Sequence, residues 1–236
     1  MTVALLTAAG TGTRMGQDVP KQFLHVNDKP IIVHTMERFE RNPQIDAICV
    51  VTLPSWVEFV RAYAKQFSIT KLRWIAHGGD TGQQSICNGL DTIAQDCPGE
   101  TVVMVHDGNR PMVDDGIICD SLAVFREKGS AVAAIPCAEV VFRGGDGATE
   151  EIPREELWRT QTPHTYTLAK LRWACDEAKV RGLKGMAAMC QLMCRLGEAA
   201  HYSRGSEKNL KLTTLDDIDI FKALLKTERS GWEKGA

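Results

Sequence analysis

The stretch Ala8-Ala9-Gly10-Thr11-Gly12-Thr13-Arg14-Met15-Gly16 joins closely spaced glycines to a guanidinium, and Lys21 follows shortly after. Glycines let main-chain N–H groups approach a phosphate chain, and Arg14 and Lys21 add countercharge, so the outline is that of a triphosphate site. Three other stretches carry groups that could work beside it: Gly78-Gly79-Asp80 with Ser85, His106-Asp107-Gly108-Asn109-Arg110-Pro111, and Asn209-Leu210-Lys211-Leu212-Thr213-Thr214. Taken alone, the glycine-rich turn could equally be a tight strand-to-helix connection with solvated basic residues. A dinucleotide site fits poorly, because the spacing is G-x-G-x-x-x-G and the second strand ends in Val51-Thr52-Leu53-Pro54 with no acid for a ribose. A Walker loop would need Gly-Lys-Ser/Thr after four intervening residues, which this turn lacks.

The elements that must hold these groups alternate. Val3 to Ala8 is a short continuous apolar run, as suits a parallel strand buried on both faces. Ile31 to Arg41 repeats apolar residues at helical spacing, Ala47 to Val51 is strand-like, and Pro54 stops it. The alternation continues with a helix over 55–67, a strand over 72–76, a helix over 83–95, a strand over 102–105, a helix over 114–128 and a strand over 131–135. An α/β fold with a mostly parallel, Rossmann-like sheet flanked by helices is expected. Asp107 then follows a strand, at the carboxyl edge where open α/β sheets bind ligands.

The rhythm breaks between Cys137 and Arg159, where Gly144-Gly145-Asp146-Gly147 separates the extended pieces 138–143 and 149–153, as in a protruding hairpin arm. Helices over 168–181 and 187–196, a strand over 199–203 and a closing helix over 215–227 complete the chain. Asp216 and Asp217 favour the start of that last helix.

With 236 residues, of which 44% are hydrophobic and 25% charged, the sequence can bury a sizeable core, and one domain over 1–236 is the default. A net charge of −2 argues against a nucleic-acid or anionic-membrane binder, so phosphate recognition must be local. The segment 1–7 has no basic start and too short an apolar run for a signal or a membrane span, and a cytoplasmic protein is expected. Eight scattered cysteines without a CxxC pair point to buried free thiols rather than to disulfides or zinc.

The turn from Ala8 to Phe23, the three stretches above and Trp158-Arg159-Thr160-Gln161-Thr162-Pro163 together resemble the polyol-phosphate cytidylyltransferases. That family includes 2-C-methyl-D-erythritol 4-phosphate and ribitol-5-phosphate cytidylyltransferases, and the likeness extends over nearly the whole chain. It implies transfer of CMP from CTP to a polyol phosphate with release of pyrophosphate, a divalent metal such as Mg²⁺, and a homodimer. By resemblance, Arg14, Lys21 and Lys211 act on the triphosphate and its transition state. Ala8, Ala9, Gly10, Thr11, Gly12, Gly79, Asp80 and Ser85 hold the nucleotide. Asp107, Arg110, Arg159 and Val140 fall at the acceptor, with Asp107 taking a hydroxyl or the metal. The family's arm crosses to a second subunit and helps build its acceptor site. His106 is expected to be structural, since an acceptor phosphate is already ionised at neutral pH and needs no base.

The sequence departs from the family at Val140, where a threonine is common, and at Ala187-Ala188, where Thr-Asp is common. Fewer polar partners around the acceptor should change which polyol is accepted. The balance leans to ribitol 5-phosphate or a similar alditol phosphate for a surface polymer, with methylerythritol phosphate of isoprenoid synthesis as the alternative. A reading from another class is a nucleotide-binding module that has lost its chemistry.

Overall fold

The structure is a computed structural model and describes residues 1–10 and 19–229. Arg14, Thr11 and Gly12 of the glycine-rich turn lie outside the described residues.

Its centre is a seven-stranded sheet of β1 (Thr2–Ala8), β4 (Ala47–Thr52), β5 (Leu72–His77), β6 (Val102–Asp107), β7 (Ala131–Pro136), β10 (Trp158–Thr167) and β11 (Tyr202–Arg204). The spatial order is β11-β7-β10-β6-β1-β4-β5. All neighbours are parallel except β10, which runs antiparallel to both β6 and β7. Two small antiparallel pairs stand apart from it: β2 (His25–Val26) with β3 (Lys29–Pro30), and β8 (Val141–Arg143) with β9 (Glu150–Ile152). The latter pair is the expected hairpin arm.

The continuous apolar runs are explained by cover on both faces. On one, Val3, Leu5, Cys49, Val51, Val103 and Val105 pack under α3 (Gly82–Ile93), α5 (Leu168–Val180) and α6 (Met189–Arg195). On the other, Ala4, Leu6, Ile48, Val50 and Met104 pack under α1 (Ile31–Arg41), α2 (Val57–Gln66) and α4 (Asp115–Lys128). Successive strand residues point to opposite faces, so a strand covered on both sides must be apolar at every position. A third, smaller core forms where α7 (Leu215–Arg229) lays Ile218, Phe221 and Leu225 against Val26, Ile31, Met112 and Leu212.

Two features differ from expectation. β10 fills the sheet between β6 and β7, although its Thr, Gln, Pro and His residues give no apolar run; its register shifts between Thr160 and His164, where Pro163 interrupts pairing. The second difference is a disulfide between Cys87 of α3 and Cys175 of α5, where free thiols are expected. α3 and α5 lie side by side on one face, which brings together cysteines 88 positions apart, a proximity that scattered spacing conceals. The other six cysteines are free.

The approach of α3 to the sheet is unusually close at Gly89, where an added Cβ would stand 2.6 Å from Val51 Cγ2 and 2.9 Å from Leu5 Cδ1. Gly89→Val should therefore lower the unfolding free energy by about 1–3 kcal/mol through overpacking, as measured by urea denaturation.

Candidate functional site

The carboxyl ends of β1 and β6, the loop after β5 and the segment before α7 converge on an open cleft of about 500 Å³. Ala8, Ala9 and Gly10 form one wall, Gly79, Asp80 and Ser85 another, and Lys21, Asp107 and Lys211 also line it. The structure thus brings together every described residue expected to hold the nucleotide or act on its phosphates.

Each wall is fixed by a specific contact. Gln22, buried beside Lys21, donates from Nε2 to the carbonyls of Ala8 (2.6 Å) and Gly10 (3.0 Å), tying the end of β1 to the 3-10 turn that carries Lys21. The opposite wall is held by Ser85, whose hydroxyl accepts from Gly79 N (3.0 Å) and donates to Thr81 O (2.9 Å), while Thr81 caps α3 by accepting from Gln84 N. The walls meet at Gly78, where a Cβ would fall 2.3 Å from that of Ala9. Only hydrogen fits between them.

At the floor, Asp107 is the last residue of β6. Its Oδ2 accepts from Arg110 Nε and its Oδ1 from Lys211 Nζ, both at 2.9 Å. Burial alone would raise its pKa, but the Lys211 and Arg110 charges and hydrogen bonds more than offset that and hold the carboxyl well below the usual range. Lys211 is positioned by its neighbours: Asn109 Nδ2 donates to Leu212 O and Leu212 N to Asn109 O, Arg110 Nη1 donates to Asn209 O, and Asn209 Nδ2 donates to Thr162 O. His106, expected to be structural, is fully buried and lines a smaller cavity beside the cleft. Its ring bridges Thr162 Oγ1 at Nδ1 (3.0 Å) and Arg110 O at Nε2 (3.1 Å), and burial lowers its pKa to about 4.

A smaller cavity of about 90 Å³ opens off the cleft past Asp107 and Lys211, lined further by Arg110, His164 and Ala187-Ala188. Arg159 lines neither cavity; its guanidinium pairs with Glu207 and, at 3.7 Å, with Glu139. Val140 sits on the arm, 61% exposed. Gln22, Thr162, Asn109 and Asn209 lie within the stretches that carry the resemblance, but no role is expected of them from sequence; each is buried and serves main-chain groups.

Among the described residues no cluster of three His, Cys, Asp or Glu side chains could hold a metal ion. Both Asp107 oxygens already accept from a cation, though each keeps a further lone pair. That donor set fits an Mg²⁺ carried mostly by phosphates and water rather than one held in a protein cage. Among the described residues no helix is long and apolar enough to cross a membrane.

Small-residue main chain and two lysines line one cleft, and no described histidine or cysteine lines it to act as base or nucleophile. Such a site can align two phosphorylated substrates without joining either to itself, which places the chain among the nucleotidyltransferases. Residues 2–227 match the family model "2-C-methyl-D-erythritol 4-phosphate cytidylyltransferase". The chain belongs to that family of cytidylyltransferases. It is 38% identical over 230 residues to ribitol-5-phosphate cytidylyltransferase of Lacticaseibacillus paracasei, covering 96% of this chain and 98% of that one. It is 36% identical over 230 residues to 2-C-methyl-D-erythritol 4-phosphate cytidylyltransferase of Geotalea uraniireducens, covering 96% and 97%. The solved 2-C-methyl-D-erythritol 4-phosphate cytidylyltransferase of Francisella tularensis superposes with a TM-score of 0.80 at 26% identity, covering 94% of this chain and 98% of that one.

The two buried histidines of β6 and β10 predict an acid limb in stability. Burial lowers His106 and His164 to about 4, so the unfolded chain binds more protons between that value and about 6.5. Their stabilisation is complete above that window and lost as pH falls through it, by at most about 1.4 kcal/mol per pH unit for each. Urea unfolding between pH 7 and 4 should show this slope, and His106→Asn should reduce it by about half.

Proposed function

We propose that the chain transfers CMP from CTP to ribitol 5-phosphate or a similar alditol phosphate, giving a CDP-alditol and pyrophosphate. The observation that carries this is the placement of Lys21 and Lys211 around one cleft, with Asp107 at the mouth of the smaller cavity. The cytidine lies along Ala8, Ala9 and Gly10 and against Gly79, Asp80 and Ser85, and the triphosphate reaches Lys21. The acceptor occupies the smaller cavity beside Asp107 and Arg110. An oxygen of its phosphate attacks the α-phosphorus, a new P–O bond forms, and the α–β bridging bond breaks with its electron pair leaving on pyrophosphate. Positioning and charge neutralisation supply the catalysis, and no proton need move. Lys21 and Lys211, joined by Arg14 from the glycine-rich turn, neutralise charge as it builds on the transferring group. Mg²⁺ on the triphosphate would supply further neutralisation, with Asp107 the carboxylate placed to face it.

The enzyme works as a cytoplasmic homodimer, each arm serving the other subunit's acceptor site through Val140. The 61% and 56% exposure of Val140 and Phe142 supports this, because apolar arm residues gain most by being covered. The second acceptor is 2-C-methyl-D-erythritol 4-phosphate, favoured by the Geotalea relative at 36% identity against 38% for the Lacticaseibacillus one.

Pyrophosphate release with CTP and Mg²⁺ across a panel of polyol phosphates tests the reaction and ranks the acceptors. Ribitol 5-phosphate should give the highest kcat/KM; CTP binding without release for any acceptor would leave a nucleotide-binding module instead. In the same assay, Lys21→Ala should lower kcat about 100-fold or more while raising the KM for CTP by less than about tenfold, the mark of a contact made in the transition state. Gly78→Val, which wedges the walls apart, should do the reverse: a KM for CTP raised about tenfold with the acceptor KM little changed.

A further inference from the structure

His164 lies on β10, lines the smaller cavity and is 2% exposed. Its Nε2 has no hydrogen-bond partner, and it is the one such buried side-chain nitrogen or oxygen among the described residues that line this cavity. The polar neighbours are already committed. Thr162 Oγ1 accepts from Asp107 N and meets His106, Gln161 binds Ser206 and Asn209, and Asp107 holds Arg110 and Lys211. Ala187, Ala188 and Met189 supply only apolar surface.

The state of the ring follows from its surroundings. Burial lowers its pKa to about 4, so it is neutral near pH 7. The Gln161 backbone opposes that shift, and Nε2 itself is left without a hydrogen-bond partner. A neutral imidazole that donates from Nδ1 presents a lone pair at Nε2. That atom rejects a phosphate oxygen and accepts from a hydroxyl. A buried acceptor without a donor is costly, and a ligand that supplies the missing O–H gains accordingly.

Resting on the proposed alditol-phosphate reading, we propose that His164 is a specificity residue that accepts a hydrogen bond at Nε2 from a hydroxyl of the acceptor's carbon chain. The acceptor then lies with its phosphate toward Lys211 and the CTP cleft and its hydroxylated chain against β10. Asp107 and His164 take hydroxyls from two sides of the cavity, and His164 restores some of the polarity that Ala187 and Ala188 do not provide.

Steady-state kinetics with CTP and ribitol 5-phosphate, and with deoxyribitol 5-phosphates lacking one hydroxyl each, test this. His164→Leu should raise the KM for ribitol 5-phosphate about tenfold and leave the KM for CTP unchanged, and His164→Gln, which offers a carboxamide oxygen, should recover most of the loss. One deoxy analogue should be about tenfold poorer for the wild type yet no poorer than ribitol 5-phosphate for His164→Leu, the coupling expected of a direct contact. An unchanged acceptor KM, or equal discrimination by both proteins, overturns the role. Should the leucine variant not fold, nitrogen NMR of the histidine-labelled wild type decides. The Nε2 resonance of His164 should move with ribitol 5-phosphate and not with inorganic phosphate, and no movement, or the same movement with both, overturns it. Absence of pyrophosphate release by the wild type with any polyol phosphate sinks the acceptor reading and this inference together, whereas release with an unaffected His164→Leu sinks only His164.

Discussion

The carboxylate of Asp107 is the junction on which the site depends. It ends β6, the central strand of the sheet, and takes one cation from its own loop and one from a segment about a hundred residues further on. A buried carboxylate is tolerable only when paired, and a lysine on a loop is directed only when something holds it. Each need answers the other. The surrounding bonds between Asn109 and Leu212 and between Arg110 and Asn209 join the same two segments, which together form one floor. Loss of the carboxylate would leave two like charges adjacent and Lys211 without its orientation.

This arrangement reconciles a chain of net charge −2 with a substrate pair that carries several negative charges. Two cations around one carboxylate leave a single positive charge at the floor, and Lys21 adds another in the same cleft, which Asp80 also lines. Salt screens charges beyond about 10 Å, so this cluster acts mainly within the cleft. A broad basic surface would attract polyanions of every kind.

Much of this was legible in the sequence, for physical reasons that differ by residue. Val3–Ala8 and Val102–Val105 announce themselves because strands covered on both faces must be apolar throughout, and Asp107 could be placed at a strand's carboxyl edge from that alone. The Gly78-Gly79 pair and the turn at Ala8 were visible as small-residue clusters, though the contact between Gly78 and Ala9 was not. β10 was hidden because its buried face satisfies polar groups of other strands, so Thr162 and His164 look like loop residues. Its threonines, tryptophan and tyrosine were the available strand signal, set against the penalty of Pro163. Gln22, Asn109 and Asn209 act on carbonyls far away in sequence, and the Cys87–Cys175 bond depends on two helices lying side by side, so no local pattern could encode them.

The floor also dictates when in the life of the molecule the site can exist. Ala8 and Lys21 emerge early in synthesis, Asp107 about halfway, and Lys211 near the end, held by the small core that α7 closes. A nascent chain can pair β1 with β4 and even complete both main cores while the cleft still lacks one cation. Contacts of such long separation form late, after the entropy of closing a large loop has been overcome. A ribosome-bound or prematurely ended chain would thus carry most of the scaffold and both nucleotide walls while its floor still lacks Lys211.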